Sequence, residues 1–150
     1  MSSTIRLYFS DKIKSDLLSH LTKEQTHYVK DVMRLKIGDK LSIFNKQGEW
    51  SAVIESYEKN GTKIKIMKKV RDKDNEKNIW LAFSPIKQSP LNFVIQKGTE
   101  LGVQRFIPIL SERTIVREIN IERIKKIIVE ASEQSNRISV PEINKPELLK

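Results

Sequence analysis

The sequence predicts two successive units, a small β-barrel with one added helix and then the opening of an α/β unit with a parallel sheet. Short alternating apolar runs separated by turn residues fill positions 41–70, whereas from Ile79 onward the pattern alternates strand, helix, strand and helix. Between them, residues 71–78 contain no apolar side chain. This polar segment is the predicted linker, which gives units 1–72 and 73–150 in a chain of 150 residues.

The first unit begins with a predicted helix over residues 23–35. Thr22 and Gln25 have the spacing of a capping box, in which the threonine hydroxyl and the glutamine amide satisfy backbone groups at the helix start. Tyr28, Val32 and Leu35 then recur at helical spacing, so we expect them to form the apolar stripe that faces the core.

Three antiparallel strands follow, over residues 41–44, 49–57 and 62–66. Asn60 and Gly61 are predicted to form the turn between the last two strands because both residue types tolerate a positive φ. Alternation in the third strand directs Ile64 and Ile66 to the core and the intervening lysines, Lys63 and Lys65, to water or a ligand.

The second unit starts with an apolar run at residues 79–84, which is typical of a buried strand. Ser89 and Pro90 provide an N-cap and a first-turn proline for a helix over residues 90–101, and Gly102 provides its C′ position. One face of this helix is predicted to carry four apolar residues, Leu91, Val94, Ile95 and Leu101.

Residues 103–110 have the composition of the next strand, although Pro108 predicts that it ends early or lies at a sheet edge. Asn120 can cap the last helix, whose buried face is predicted to consist of Ile121, Ile124, Ile128 and Ala131. A third strand is predicted to begin near Ile138.

Charge favours a polyanionic partner. The chain has 28 Lys and Arg against 19 Asp and Glu, a net charge of +9, and units 1–72 and 73–150 carry +6 and +3 of it. Nucleic acid is the commonest polyanion in the cytoplasm, but a basic surface without a partner is the alternative that composition leaves open.

Other function classes are disfavoured. The chain has no cysteine and two histidines, so we expect neither disulfides nor a metal site. It has no run of about 18 apolar residues, and its first residues lack the pattern of a signal peptide, so we expect no membrane association and a cytoplasmic location.

For RNA binding, the candidate phosphate contacts are basic residues of the first unit. Arg6 and Arg34 come first because arginine can contact phosphate with two parallel hydrogen bonds. Tyr8, Phe9 and Trp50 could stack on bases, although aromatic residues in so small a barrel more often belong to the core. His27 is expected to be a surface histidine without a role. The full candidate set is Arg6, Lys30, Arg34, Lys36, Lys63 and Lys65.

Three polar clusters of the second unit lie beside predicted ends of helices or strands, at residues 96–103, 111–114 and 130–137. Each has an ordinary structural interpretation: Glu100 can offset Lys97, and Glu133 and Arg137 can form a surface pair. Glycines occur singly throughout the chain, so no glycine-rich phosphate or dinucleotide loop is predicted.

Taken in order, these clusters resemble the ribosomal RNA small subunit methyltransferase E family. The matching stretches are residues 28–34 ahead of Gly38 and Asp39, residues 96–103, residues 111–113, and residues 130–137 continuing to Val140 and Pro141. The resemblance implies a PUA-like barrel followed by the first part of a knotted SPOUT methyltransferase domain. It also implies methylation of N3 of a uridine in 16S ribosomal RNA, near the decoding region, by a homodimer acting on the small ribosomal subunit.

The resemblance further implies S-adenosylmethionine as the cofactor, bound in a knotted region with a Gly-Pro-Glu-Gly-Gly type loop that we expect beyond Lys150. N3 of uridine carries a proton, so catalysis needs a base or stabilisation of the charge on O2 and O4. The candidate catalytic residues are Glu100, Arg113, Gln134 and Arg137, with the base left unassigned. The alternatives are a non-catalytic RNA-binding protein or degenerate remnant of the family, and an unstable fragment whose basic surface is incidental.

Overall fold

The chain forms two compact units, Met1–Lys73 and Asp74–Lys150, in a computed structural model that describes residues 5–73, 77–116 and 118–149. The last strand of the first unit continues to Asp72, two residues into the predicted linker. Asp74, Asn75 and Glu76 of that linker lie outside the described residues.

The first unit contains five strands, β1 (Arg6–Tyr8), β2 (Leu18–His20), β3 (Lys40–Asn45), β4 (Gly48–Glu58) and β5 (Gly61–Asp72). They form one sheet with the order β1-β3-β4-β5-β2, in which β1 pairs with β3 in parallel and the other pairs are antiparallel. The two long strands, β4 and β5, supply most of the sheet. The register shifts between them let these strands bend around a core.

Period-two alternation places the core of this unit as predicted. Ile64 and Ile66 are buried, whereas Lys65 is exposed and Lys63 is half-buried. The predicted hairpin turn is shifted by one residue, because Lys59 and Asn60 connect Glu58 to its partner Gly61. Gly61 has a φ of +133°, and a Cβ there would lie 2.7 Å from the carbonyl oxygen of Leu21, so the close approach requires glycine.

The helix of the first unit differs from the prediction. The capping box of Thr22 and Gln25 is confirmed, but the α-helix, α1, spans only Lys23–His27. It continues as a π-helical turn at Tyr28–Val32, in which the amide of Met33 donates to the carbonyl of Tyr28. The wider turn rotates Val29 into the core, so the predicted stripe is wrong for Tyr28 and Val32, which are exposed, whereas Leu35 packs against the core as predicted.

The elements of the second unit are β6 (Ile79–Phe83), α2 (Gln88–Glu100), β7 (Val103–Leu110), α3 (Ile121–Gln134), β8 (Glu142–Ile143) and β9 (Glu147–Leu148). Its strands form a parallel sheet, as predicted for an α/β unit, with the order β6-β7-β8 and the short β9 also paired with β7. The third strand therefore begins four residues later than the predicted start near Ile138, whose side chain is buried.

Pro108 lies in the central strand of this sheet, so its predicted placement at a strand end or sheet edge is wrong. The carbonyls of Phe106 and Leu110 accept from the amides of Asn144 and Leu149. Alternate residues of a strand face the same neighbour, so Pro108 faces the interval between β8 and β9. A missing N–H donor is tolerated there because no ladder bond is required of it.

The helices of the second unit start and end close to their predicted limits. Lys87, rather than Ser89, is the N-cap of α2, and Gly102 follows the helix with a φ of +100°, as a C′ glycine should. Leu101 is 80% exposed because it lies past the last helical residue, so it does not share the buried face. Asn120 caps α3 through a hydrogen bond from the amide of Arg123, as predicted.

The core of the second unit lies between the two helices and the sheet. It is formed by Leu91 and Ile95 of α2, Ile124 and Ile128 of α3, and Val103 and Phe106 of β7. Across the described ranges, none of the helices is both long and apolar enough to cross a membrane.

Gly98 provides a test of this packing. A Cβ at position 98 would lie 2.8 Å from Cε1 of the buried Phe106. We expect Gly98→Ala to lower the free energy of unfolding by about 1–2 kcal/mol, because overpacking outweighs the roughly 1 kcal/mol gain in helix propensity. Urea denaturation followed by circular dichroism measures this change. Combining Gly98→Ala with Phe106→Leu should cost less than the sum of the two single changes, and a Gly98→Ala protein more stable than the parent would refute the contact.

Candidate functional site

The most unusual surface of the first unit surrounds the π-helical turn. Four apolar side chains of one ten-residue segment are exposed there: Tyr28 by 40%, Val32 by 56%, Met33 by 43% and Ile37 by 64%. Three cationic side chains, Lys30, Arg34 and Lys36, are interleaved with them and are exposed as well. We call these seven side chains the π-turn surface.

Tyr57 anchors the π-turn surface from below. Its hydroxyl donates to the carbonyl of Leu35 at 2.6 Å, and Nζ of Lys30 lies 5.4 Å from the centroid of its ring. Burial, followed by the charges of Asp39 and Asp31, raises the pKa of Tyr57 above its ordinary value. Tyr57 therefore stays a neutral hydrogen-bond donor at physiological pH. Its role is to hold the carbonyl of Leu35 in place and not to transfer a proton.

The backbone of the π-turn surface is unusual at Arg34, which has a φ of +55°. Arginine rarely adopts this left-handed conformation, which costs on the order of 1 kcal/mol. The amide of Lys36 donates to the carboxylate of Asp39 at 2.7 Å and fixes the following turn. Arg34 and Lys36 are thus presented by an ordered loop.

Lys63 and Lys65 lie on the outer face of β5. Nζ of Lys63 is 4.0 Å from the carboxylate of Glu58, which also accepts from Ser56 and pairs with His20 at 3.3 Å. The hydrogen bond from Ser56, and then that from His20, lowers the pKa of Glu58. Glu58 therefore remains an anion beside Lys63, and the more exposed Lys65 is the better placed of the two lysines for a phosphate.

Arg6 is placed differently from the expectation of a surface phosphate contact. Its guanidinium donates to both carboxylate oxygens of Glu49, at 3.1 and 3.2 Å, and lies 4.3 Å from the ring centroid of Phe44. Both side chains of the ion pair are about nine-tenths buried. Phe9 and Trp50 belong to the core, which was the expected alternative to stacking on RNA bases.

The four candidate catalytic residues lie at opposite ends of the parallel strands of the second sheet. We call the side of the sheet where strands β6 and β7 end its carboxyl edge, and Arg113 lies there, three residues beyond the end of β7. Helices α2 and α3 run back from that edge, so Glu100, Gln134 and Arg137 lie at the opposite, amino edge, where β7 begins.

At the amino edge, Arg137 is buried and connects the end of α2, the start of β7 and the segment after α3 through hydrogen bonds. Its Nη1 donates to the carbonyls of Thr99 and Val103 at 2.7 and 2.8 Å, and its Nη2 donates to the hydroxyl of Ser139 at 2.8 Å. Two of the sequence clusters, 96–103 and 130–137, thus meet through one guanidinium. Glu100 pairs with Lys97 at 2.7 Å, and Gln134 is exposed at the end of α3.

At the carboxyl edge, small hydroxyl groups surround the strand ends. The hydroxyl of Ser84 donates to the carbonyl of Ile109, and the hydroxyl of Thr114 accepts from the amide of Ser111. Arg113 is exposed in this loop. Open α/β sheets bind ligands at the carboxyl ends of their strands, so this is the edge where a substrate is expected.

Two residues at these surfaces were missed by sequence reasoning. Tyr57 reads as an ordinary strand aromatic, and only the tertiary contact with Leu35 reveals its role. Lys87 is exposed at the carboxyl edge as the N-cap of α2. The sequence feature that could have indicated Lys87 is its position in the short loop between the strand and the helix predicted at residues 79–84 and 90–101. No cluster of three or more potential metal ligands occurs among the residues that the structure describes.

Comparison with known families identifies both units. Residues 73–150, more than half of the chain, match the family profile described as an RNA methyltransferase domain, and residues 21–67 match the RNA methyltransferase PUA domain. The chain belongs to the RNA methyltransferase family. This confirms the family resemblance of the sequence clusters and the predicted fold class, a PUA-like unit followed by part of a SPOUT-type domain.

Individual relatives of this RNA methyltransferase chain carry a consistent description. The ribosomal RNA small subunit methyltransferase E of Rickettsia conorii is 34% identical over 142 residues, which are 93% of this chain and 58% of the relative. The protein of the same description from Bacillus subtilis is 30% identical and is covered to 51%. The chain therefore spans less than two thirds of the length of these curated relatives.

Solved structures give the same relationship. A methyltransferase from Legionella pneumophila, in complex with the cofactor SAM, superposes with a TM-score of 0.88 at 30% identity, over 97% of this chain and 63% of that one. A ribosomal RNA small subunit methyltransferase E from Neisseria gonorrhoeae, bound to S-adenosyl methionine, superposes with a TM-score of 0.85 at 27% identity, over 97% and 62%.

Arg137 provides a test of the amino edge. We expect Arg137→Ala to lower the free energy of unfolding by about 2–4 kcal/mol, because it removes the guanidinium that donates to the buried carbonyls of Thr99 and Val103 and to the hydroxyl of Ser139. Arg137→Lys should recover less than half of that loss, since an ammonium cannot reproduce the planar fork. Thermal and urea unfolding measure both changes.

Lys125→Ala is the matched control for Arg137, because Lys125 is exposed on α3 and pairs only at the surface with Glu122 in the described contacts. It should change stability by less than about 0.5 kcal/mol. Equal stability of the Arg137→Ala protein and the parent would contradict the role of this guanidinium.

Proposed function

We propose that this chain recognises ribosomal RNA and forms part of the catalytic unit of an S-adenosylmethionine-dependent methyltransferase that modifies N3 of a uridine in 16S ribosomal RNA. The observation that carries the proposal is the match of residues 73–150 to the RNA methyltransferase family, on a parallel sheet whose carboxyl edge presents Arg113. The N3 position and the 16S substrate rest on the family resemblance.

RNA recognition is assigned to the first unit, residues 1–72. Lys30, Arg34 and Lys36 of the π-turn surface are exposed cations, and Lys65 adds a fourth on the outer face of β5. Lysine and arginine contacts to phosphates fix the position and orientation of an RNA without reading its sequence. Arg6 acts through the fold, because its guanidinium is committed to Glu49.

The chemical step is assigned to residues 73–150. Loss of the N3 proton spreads negative charge over O2 and O4 of the uracil ring, and a guanidinium can donate hydrogen bonds to such oxygens. Arg113 is the candidate placed for this role, because it is exposed at the carboxyl edge. For Glu100, Gln134 and Arg137 we propose that they build the amino edge that supports the sheet.

When bound, S-adenosylmethionine supplies an electrophilic methyl group on a sulfonium sulfur. The chain's own residues fit one wall of such a site. Ser84, Ser111 and Thr114 bring small hydroxyl groups to the carboxyl edge, and groups of this kind can both donate to and accept from a ribose or a carboxylate. Lys87 adds a positive charge at the same edge.

The partners follow from the same proposal. Because a base in 16S ribosomal RNA is the proposed target, the small ribosomal subunit is the proposed substrate particle and the cytoplasm the proposed location. A homodimer is proposed from the family resemblance.

Deletion of the gene tests this function in the organism that carries it. An N3-methyl group blocks Watson–Crick pairing and stops reverse transcription, so primer extension along 16S ribosomal RNA reports the modification. We expect one stop to disappear on deletion and to return when the gene is restored. Restoration with Arg113→Ala should give at least about tenfold less methylation, whereas Lys125→Ala should restore it fully. An unchanged set of stops would exclude the methyltransferase function and favour a non-catalytic RNA-binding protein.

A further inference from the structure

The π-turn surface exposes two apolar side chains, Tyr28 and Val32, that the predicted helical pattern would bury. In a regular α-helix, Tyr28, Val32 and Leu35 would share one face, but the π-helical turn brings Val29 to the core and leaves Leu35 as the one member of that stripe packed against it. Tyr28, Val32, Met33 and Ile37 are left in contact with water. Places where local pattern and fold disagree are commonly functional, and π-helical turns concentrate at such places.

The exposure of these apolar groups is built into an ordered part of the fold. The capping box fixes the start of α1, Tyr57 holds the carbonyl of Leu35, and Asp39 holds the amide of Lys36. The amide of Leu35 donates to the carbonyl of Val29 across the same turn. The left-handed Arg34 is therefore held by several contacts on both sides.

Charge indicates which kind of partner this surface fits. Residues 28–40 contain four cations, Lys30, Arg34, Lys36 and Lys40, against two carboxylates. Both carboxylates are engaged: Asp31 is 2.7 Å from His27, and Asp39 accepts from the backbone of Lys36. Cations interleaved with exposed apolar groups match a ligand that alternates phosphates with flat apolar faces.

We propose that the π-turn surface binds unpaired RNA, with its cations on phosphates and its apolar side chains against exposed base faces. The proposal rests on the proposed function, which makes RNA the ligand, and it adds the structural class of that RNA. An A-form duplex hides its base faces in the stack and presents phosphates and ribose hydroxyls. Exposed base faces occur in single strands, loops and bulges, where contact with protein side chains contributes to binding with little dependence on sequence.

Fluorescence polarisation with the 150-residue chain tests this proposal. The probes are a fluorescein-labelled single-stranded RNA of about 12 nucleotides, the same strand annealed to its complement, and an abasic strand of the same length. We expect the single strand to bind at least about tenfold more tightly than the duplex and the abasic strand.

Variants separate the two kinds of contact. Met33→Ser combined with Ile37→Ser should weaken single-strand binding about tenfold while leaving the salt dependence unchanged. Arg34→Asn, which removes the charge but tolerates the left-handed backbone, should reduce the slope of log affinity against log salt by about 0.7. Phe93→Ser combined with Leu101→Ser is the control, because both residues are exposed in the second unit and belong neither to this surface nor to the cations assigned to RNA, so affinity should be unchanged.

Each outcome decides between definite alternatives. Equal binding of single strand, duplex and abasic strand overturns the assignment to unpaired RNA but leaves RNA recognition in place. Unchanged RNA affinity in the Met33 and Ile37 variant overturns the proposal, because these apolar groups then make no contact with the RNA that contributes to binding. Failure of all three probes to bind overturns both this proposal and the assignment of RNA recognition to the first unit.

Discussion

Two buried guanidinium groups determine how the chain is arranged around them. A guanidinium keeps its charge inside a protein, so burial requires that nearby groups accept its hydrogen bonds. In the first unit, the carboxylate of Glu49 accepts two hydrogen bonds from Arg6, and the pair joins β1 to β4. In the second, the carbonyls of Thr99 and Val103 accept from Arg137, so the end of α2, the start of β7 and the segment after α3 are fixed together. Burial thus separates scaffold arginines from those available to a ligand.

Most of the fold could be predicted from local patterns. Alternation gave the buried face of β5, the polar run at 71–78 fell where the first sheet ends, and the strand-helix alternation of the second unit predicted its parallel sheet. The failures have physical causes. Within the predicted stripe at 28–35, Tyr28 and Val32 are exposed because a π-helical turn has a wider period than the α-helix, whereas Leu35 packs against the core. Pro108 lies in the central strand because β8 and β9 leave an interval opposite it.

The candidate site was less predictable because side-chain proximity depends on topology. Charge predicts Lys30, Arg34 and Lys36 as RNA contacts, and all three are exposed in one segment. Their spacing does not predict the contacts that Tyr57 makes with Lys30 and with the carbonyl of Leu35. Glu100, Arg113, Gln134 and Arg137 were grouped because they occur in family motifs, yet chain direction places Arg113 at one sheet edge and the other three at the opposite edge. The order of the motifs along the chain indicates which family the chain belongs to. Whether a motif residue lies at the carboxyl or the amino edge depends on the direction of its helix or strand, which the motifs do not give.

Hydrogen exchange of the chain in the presence and absence of 16S ribosomal RNA would test the central claim, that exposed and not buried arginines meet the RNA. If the claim is right, the peptide over residues 28–40 shows the largest slowing of exchange, while peptides over 98–106 and 135–139, around the guanidinium of Arg137, exchange at unchanged rates. Slowing at 98–106 and 135–139, with residues 28–40 unaffected, would contradict it.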